Sequence, residues 1–214
     1  MPPEIDEPPR LVHARARGSA VQILDRKACT ADAYVAQRQW ESTVLGQCPF
    51  HPEGGCGLER LGSYPRVRPL GARVARFWCP RKRASVSILP AFLAARLVGT
   101  LDDVEAAVDA VDARGSVAKA AEAVHPADVP RPLSYEAAIA SVRRRVRAVR
   151  AVLLAAITLL PAHFAGLVPT LVAFRERLGV TQVLVALRKL GKPIIAALPV
   201  PLGVRHRSSR REEA

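Results

Sequence analysis

The stretch from Cys48 to Cys79 constrains the fold more than any other part of this sequence. It contains three of the four cysteines, and a histidine, His51, follows Cys48 at knuckle spacing. Thiolate and imidazole are the ligands that zinc prefers, and four of them close a tetrahedral structural site. The spacing therefore predicts a zinc site formed by Cys48, His51, Cys56 and Cys79.

The spacing departs from that of a usual zinc ribbon at one position. A zinc ribbon carries two Cys-x-x-Cys knuckles, whereas Lys82 occupies the place of the last cysteine here. Two interpretations stay open: His51 and Cys56 both bind the metal, or the site is degenerate and binds none. In the second case the cysteines are buried or free thiols of a reduced protein.

The residues around the cysteines have the pattern of short strands. Two runs, 58–66 and 72–78, are strand-like, and Pro65, Pro69 and Gly71 favour a turn that connects them. A third short strand is expected at 85–89. So small a sheet buries too little apolar area to fold alone, and a metal ion would stabilise it. We therefore expect a zinc-ribbon-like domain at 46–90.

Positive charge is concentrated in the same region. The formal net charge is +13 and the isoelectric point is about 10.7. From 60 to 83 the chain has eight basic residues and no acidic residue. Such an excess indicates a polyanionic partner, either nucleic acid or an acidic membrane surface. Within the ribbon we expect DNA contacts from Arg66, Arg73 and Arg76, and the alternative is a basic surface that contacts only solvent.

Helical periodicity replaces the strand pattern after residue 90. Thr100 and Asp103 form a predicted capping box, and Gly115 is placed to end the helix that follows. Ser134 can cap a long helix with a heptad-like apolar seam. The arginines beside that seam, which we expect to contact DNA, are Arg143, Arg144, Arg147 and Arg150. The alternative is a packing helix with a solvated arginine face.

A pair of helices is predicted between 171 and 190. Gly179 marks the turn between them, and Arg188 and Lys189 are basic residues near the end of the second helix, where we expect them to contact DNA. The spacing fits a helix-turn-helix, and it fits a plain αα-hairpin equally well.

The segment 151–174 has no charged residue unless His163 is protonated. Its length would span a bilayer, so the alternative function is that of a membrane-associated basic protein anchored through this segment. Pro161 and Pro169 interrupt the segment, and we therefore favour a buried helical core.

The two ends of the chain complete the domain organisation. We expect a flexible arm plus a short helix at 1–45, with Thr30 as the cap of that helix and Cys29 as a packing residue. The helical DNA-binding region covers 91–192, and a basic tail covers 193–214. The cysteine usage and the absence of an export signal predict a reducing, cytoplasmic compartment.

Four strings in this sequence resemble the zinc-ribbon heads of transposase-like bacterial proteins. They are Cys48-Pro, Leu-Gly-Ser-Tyr-Pro-Arg at 61–66, Arg-Phe-Trp-Cys-Pro at 76–80 and Ser-Val-Ser-Ile-Leu-Pro at 85–90. The resemblance covers 45–150. It implies DNA binding, with a helix-turn-helix after the ribbon, and it implies zinc where the cysteines match, at Cys48, Cys56 and Cys79.

The sequence contains no recognisable catalytic set. A transposase holds two metal ions with acidic residues, whereas the acids here are expected to form the solvated face of one helix, at Asp102, Asp103, Glu105, Asp109 and Asp112. No glycine-rich phosphate loop or nucleophile elbow is present. The sequence thus predicts a mostly α, non-enzymatic protein with a small zinc-ribbon-like β element and a helix-turn-helix-like region. Its expected partners are DNA and a separate transposase or recombinase.

Overall fold

The computed structural model describes residues 20–25, 27, 29–124 and 134–204. Within these residues the chain forms four strands and eight α-helices, and a 3-10 turn follows the last helix at Lys192–Ile194. The strands are β1 (Ala20–Leu24), β2 (Glu59–Pro65), β3 (Arg73–Cys79) and β4 (Ala84–Leu89). The helices are α1 (Ala31–Ala36), α2 (Gln39–Ser42), α3 (Leu101–Arg114), α4 (Val117–Val124), α5 (Tyr135–Leu159), α6 (Pro161–Phe164), α7 (Leu171–Leu178) and α8 (Val183–Leu190).

The strands form one mixed sheet in the order β1-β4-β3-β2. β2, β3 and β4 are antiparallel neighbours, whereas β1 pairs with β4 in parallel, with Val21 opposite Val86. The prediction of a mostly α fold with a small ribbon is therefore wrong, and the protein is a mixed α/β protein. The physical reason is that β1 joins the sheet through a long-range pairing, which local periodicity does not show.

The two short N-terminal helices pack on one face of the sheet. Phe77 and Val86 of the sheet lie in one buried cluster with Tyr34 of α1 and Trp40 of α2. The Tyr34 hydroxyl donates a hydrogen bond to the carbonyl oxygen of Arg73 at 2.9 Å. The described helices α1 and α2 are thus packed in the same unit as the sheet.

Several predicted helix signals are confirmed. Thr30 caps α1, and the Thr100 hydroxyl accepts from the Asp103 amide at 3.0 Å while the Asp103 carboxylate accepts from the Thr100 amide at 2.7 Å. Gly115 ends α3 with a φ of 64°, and Ser134 caps α5. Each of these ends depends on a capping residue within one turn of the helix, and such signals are local enough to be visible in the sequence.

The largest apolar core joins α3 with α5, α6, α7 and α8. Val152 and Leu153 of α5 pack there with Phe164 and Phe174, whose rings stack 4.8 Å apart. The uncharged segment 151–174 is divided between the end of α5, α6 and the start of α7. Among the described residues no helix is both long and apolar enough to cross a membrane, so the predicted alternative of an anchor at 151–174 has no matching helix.

The chain after α8 is folded as far as residue 204. Leu198 and Leu202 are buried in the helical core, and Val204 packs against the second face of the sheet. The prediction of a basic tail from 193 onwards is therefore wrong for 193–204. The predicted arm, the proline-rich loop and the rest of the predicted tail fall outside the described residues, at 1–19, 126–132 and 205–214.

Candidate functional site

Cys48, His51, Cys56 and Cys79 come together where β3 ends. Their ligand atoms all lie within 4.8 Å of one another, and the three cysteines are buried. Cys48 and His51 face each other across a tight turn, and Cys79 is the last residue of β3. The structure thus brings together all four residues that the sequence predicts as metal ligands.

The measured separations fit a tetrahedral metal site. The Sγ atom of Cys48 lies 3.7 Å from Nδ1 of His51, and the Sγ atom of Cys79 lies 3.3 Å from the same nitrogen. Zn–S bonds of about 2.3 Å and Zn–N bonds of about 2.0–2.1 Å place neighbouring sulfur and nitrogen ligands about 3.5 Å apart in a tetrahedron. The two observed distances lie on either side of that value.

The local backbone explains how the ligands meet. The His51 amide donates to the Cys48 carbonyl oxygen at 3.2 Å, and the Gly54 amide donates to the His51 carbonyl oxygen at 3.0 Å. Gly54 and Gly55 have φ angles of 86° and 70°, a conformation that residues with a side chain rarely adopt. This pair of glycines reverses the chain and returns Cys56 to the site.

Lys82, which stands where a zinc ribbon has its last cysteine, contributes its backbone to the site. Its amide donates a hydrogen bond to Sγ of Cys79 at 3.4 Å, and such a bond stabilises the thiolate form. His51 supplies the fourth ligand atom instead of a cysteine at 82. The geometry therefore favours the interpretation in which His51 and Cys56 both bind the metal.

Burial and hydrogen bonding have opposite effects on the pKa of Cys48, whereas both raise the pKa of Cys56. Burial raises the pKa of Cys48, but hydrogen bonds with His51, the Phe50 backbone and Cys56 outweigh it and lower that pKa to about 7. Burial is the largest cause that raises the pKa of Cys56, and interactions with the neighbouring Cys48 and Cys79 raise it further. One thiolate thus forms near neutral pH beside a thiol that keeps its proton, and a bound cation would displace that proton.

Cys29 is not part of this cluster. Its side chain packs against the buried group that contains Tyr34 and Trp40. Burial, followed by the charge of Asp25, raises the pKa of the Cys29 thiol. The prediction that Cys29 is a packing residue is confirmed.

Comparison with protein-family models, with curated proteins and with solved structures finds no match to this chain. The resemblance to transposase-like proteins therefore stays a prediction. The positions of the arginines bear most directly on the predicted DNA contacts.

The three ribbon arginines that the sequence predicts as DNA contacts already have partners inside the protein. Arg66 donates to two carbonyl oxygens of the β4–α3 connection, one of them at 2.6 Å. Arg73 donates to Ser63 on β2, and Arg76 donates to Ser85 on β4. All three side chains are half-buried, and part of their hydrogen-bond donors ties neighbouring segments together.

Arg188 is the most deeply buried of the predicted DNA contacts, with 4% of its surface exposed. Its Nη1 donates to the carbonyl oxygens of Ala91 and Leu93 at 2.6 and 2.8 Å. Its Nη2 donates to those of Pro201 and Leu202 at 2.6 and 3.4 Å. Desolvation lowers the pKa of this guanidinium to about 10. The prediction that Arg188 contacts DNA is wrong, because the side chain is enclosed and holds two loops against α8.

Helices α7 and α8 form a hairpin, and the start of α8 lies against α3. Oε1 of Glu105 accepts from the Leu184 amide at 2.5 Å, so a carboxylate from another helix covers the start of α8. Arg175 of α7 donates in turn to Glu105 and Asp109. In a helix-turn-helix the start of the second helix contacts bases, and here Glu105 occupies that end. The geometry favours an αα-hairpin, in which Lys189 keeps an exposed side chain at the opposite end.

Glu105 is the residue whose role the sequence interpretation missed. The expectation of a solvated acidic face on α3 is wrong for Glu105, which is 4% exposed. Burial raises its pKa, and hydrogen bonds from the Leu184 amide and the Arg175 side chain oppose that rise. A signal was present, because Glu105 follows Leu101 by four residues and therefore lies on the apolar stripe of the helix.

The solvent side of α5 is basic. Its exposed arginines, called the α5 arginine face below, are Arg143, Arg144, Arg147 and Arg150. Val142, Val149 and Leu153 are buried on the other side of the helix. Within the described part of the chain, no hydrogen bond or ion pair involves any of these four arginines. The face is therefore open to an anionic partner.

Proposed function

We propose that this protein binds duplex DNA through the α5 arginine face and that one zinc ion, held by Cys48, His51, Cys56 and Cys79, stabilises its sheet. The observation that carries the DNA assignment is the α5 arginine face itself, with four exposed guanidinium groups that have no partner among the described residues. Zinc is favoured because three thiolates and one imidazole form a soft ligand set, which magnesium and calcium avoid.

The contrast with Arg145 supports this assignment. Arg145 lies within the same run, yet it donates to the carbonyl oxygens of Asp103 and Val98 at 3.2 and 3.3 Å. An arginine without such partners keeps all its donors for the paired, charge-assisted hydrogen bonds that phosphate accepts. From 137 to 159 the helix has no acidic residue that would compete for them.

The spacing of the face suits the backbone of a duplex. Arg143, Arg147 and Arg150 follow one another at four and three residues, so they lie on one side of the helix. They cover a helix length of about 10 Å, which corresponds to about three base-pair steps of 3.4 Å. Contacts of this kind position a protein on DNA and carry no sequence information, so the proposal concerns affinity for the backbone.

Replacing Arg143, Arg147 and Arg150 together by alanine is expected to weaken duplex binding and to flatten its salt dependence. Each phosphate contact releases counterions and contributes about 0.9 to the slope of log affinity against log salt concentration. We therefore expect the slope to fall by about 2–3 units. Fluorescence anisotropy of a labelled duplex of about 20 base pairs, titrated between about 50 and 300 mM sodium chloride, measures this slope.

The matched control removes the same formal charge from the β3–β4 turn. Arg81, Lys82 and Arg83 are exposed there, and their triple alanine variant should retain most of the wild-type slope. If both variants reduce the salt slope equally, only net charge matters. If the control alone reduces the slope, the DNA contact lies on the sheet and not on α5. If the wild-type protein binds no duplex at about 50 mM salt, where electrostatic attraction is strong, the DNA assignment is wrong.

A further inference from the structure

A cavity beside β2, an edge strand of the sheet, is lined by three arginines from three separate segments of the chain. The cavity has a volume of about 350 Å³, and its lining includes Arg38, Arg60 and Arg73 together with Trp40, Glu41 and Ser63. Arg38 lies between α1 and α2, Arg60 on β2 and Arg73 on β3. Arginines repel one another, so three of them around one cavity indicate a site for an anion.

An irregularity in β2 shapes this cavity. Arg60 pairs with Phe77 and Gly62 pairs with Arg76, so Leu61 is an extra residue in the strand. Gly62 has a φ of 99°, and outside its two neighbours in the chain no described atom lies within 4 Å of the position that a Cβ would take there. A bulge of this kind redirects side chains at the border of a sheet, and here it leaves open space beside Arg60.

Two of the arginines are held in place by neutral groups. Arg60 donates through Nη1 to the Thr43 carbonyl oxygen at 2.6 Å and through Nη2 to the Trp40 carbonyl oxygen. Arg73 donates through Nε to the Ser63 hydroxyl and through Nη2 to the Ser63 carbonyl oxygen, each at 2.9 Å. Neither arginine has a carboxylate partner among the described residues, so both keep an uncompensated positive charge in a fixed position.

The remaining polar groups complete an anion site. The Ser63 hydroxyl accepts from Arg73, which leaves its own proton available for a ligand oxygen. Glu41 is the one acidic residue of the lining, and its partner is Arg38 at 2.7 Å. Both side chains of that pair are more than half exposed, so the pair is weak and easily exchanged for a stronger one.

We propose that this cavity binds a phosphate group, and we call it the β2 phosphate site. A phosphate monoester carries about −1.5 to −2 charge at neutral pH, which matches the two uncompensated guanidinium groups better than a single carboxylate does. Its oxygens accept charge-assisted hydrogen bonds from the free donors of Arg60 and Arg73 and from Ser63. The volume is at the lower end of the range for small-ligand sites and accommodates a phosphate with part of a nucleoside. The site does not depend on the DNA contact proposed for α5.

Trp40 provides a direct reporter of occupancy. The chain has two tryptophans, Trp40 in the lining of the cavity and Trp78 on β3. In a Trp78→Phe background, titration with inorganic phosphate at constant ionic strength is expected to change the Trp40 emission in a saturable way, and chloride is not. Isothermal titration calorimetry of the same protein provides a second readout. Absence of saturable binding in both measurements would overturn the proposal.

Two substitutions with opposite expected effects test the geometry. Arg38→Ala removes an exposed donor and should weaken phosphate binding about three- to tenfold, whereas Glu41→Gln releases Arg38 from its carboxylate and should tighten it by a similar factor. Arg81→Ala removes the same charge from the distant β3–β4 turn and should leave the affinity unchanged. If Arg38→Ala and Arg81→Ala weaken binding equally, the proposal is wrong, because bulk charge then accounts for the effect.

Competition identifies the source of the phosphate. A 5′-mononucleotide that displaces inorganic phosphate at lower concentration than duplex DNA would assign the site to a small ligand. Displacement by duplex DNA, with weaker duplex binding by Arg38→Ala, would assign it to a backbone phosphate. Either result supports the site. Because inorganic phosphate is measured without DNA, failure of the α5 assignment and failure of the β2 phosphate site remain distinguishable.

Discussion

Cys79→Ser is expected to release the metal ion and to destabilise the sheet. The Cys79 side chain is fully buried, and its Sγ lies 3.3 Å from Nδ1 of His51 and accepts from the Lys82 amide. A neutral serine hydroxyl is a poor replacement for a thiolate, so the proposed site would lose one of its four metal ligands. We expect about one zinc per chain in the wild type and almost none in the variant. The variant should lose about 3 kcal/mol or more of stability, or roughly 10 °C in melting temperature.

Elemental analysis and thermal unfolding of freshly reduced protein measure both effects. Cys29→Ser is the matched control, because Cys29 lies outside the cluster and should be replaced without loss of metal. A chelator should lower the melting temperature of the wild type and leave that of Cys79→Ser unchanged. Wild-type protein that contains no metal after reduction would contradict the zinc assignment.

Separate replacement of Cys56 and His51 distinguishes four ligands from three. If all four bind, Cys56→Ser and His51→Ala each lose zinc or hold it far more weakly than Cys29→Ser does. Retention of zinc at wild-type affinity by either variant would remove that residue from the ligand set.

Arg188→Met is expected to lower the free energy of unfolding by about 3–5 kcal/mol. Methionine fills much of the same volume, but it leaves three buried carbonyl oxygens and the partly buried one of Ala91 without the donors that Arg188 supplies. The carbonyl oxygens belong to two segments, 91–93 and 201–202, that both pack on α8. Urea unfolding followed by circular dichroism measures the change, and the expected sign is a lower midpoint.

Lys189→Met is the matched control for this substitution. Lys189 adjoins Arg188 and is exposed, so its variant should stay within about 0.5 kcal/mol of the wild type. An Arg188→Met protein of wild-type stability that no longer binds DNA would restore Arg188 as a DNA contact. Equal stability of the two variants would show that the hydrogen bonds of Arg188 contribute little.

The parts of the structure that could be predicted from the sequence depend on short-range chemistry. The metal ligands could be predicted because three of them lie within nine residues, where Gly54 and Gly55 bring them together. The helix ends could be predicted because caps such as Thr100 act on the next turn. In each case the residues that interact are close in the sequence, so their pattern is visible without the fold.

The predictions that were wrong concern residues whose role is set by segments far away in the sequence. Arg188 and Glu105 are charged residues that the sequence places on helix surfaces, and the fold buries both because each satisfies backbone groups of another segment. Burial of a paired charge leaves no periodic signal beyond its position on an apolar stripe. The parallel pairing of β1 with β4 has the same origin, because Val21 and Val86 are far apart in the chain.

The position of β4 between β1 and β3 determines how far the protein can be shortened. All six residues of β4 are buried, and the strand Ala84–Leu89 contains no charged residue. A protein that begins at residue 46, where the ribbon pattern starts, would lack β1 and would present one whole side of β4 without backbone partners. An uncharged strand in that state pairs readily with strands of other molecules. The ribbon on its own would therefore tend to aggregate even with zinc bound, and β1 is the segment that prevents it.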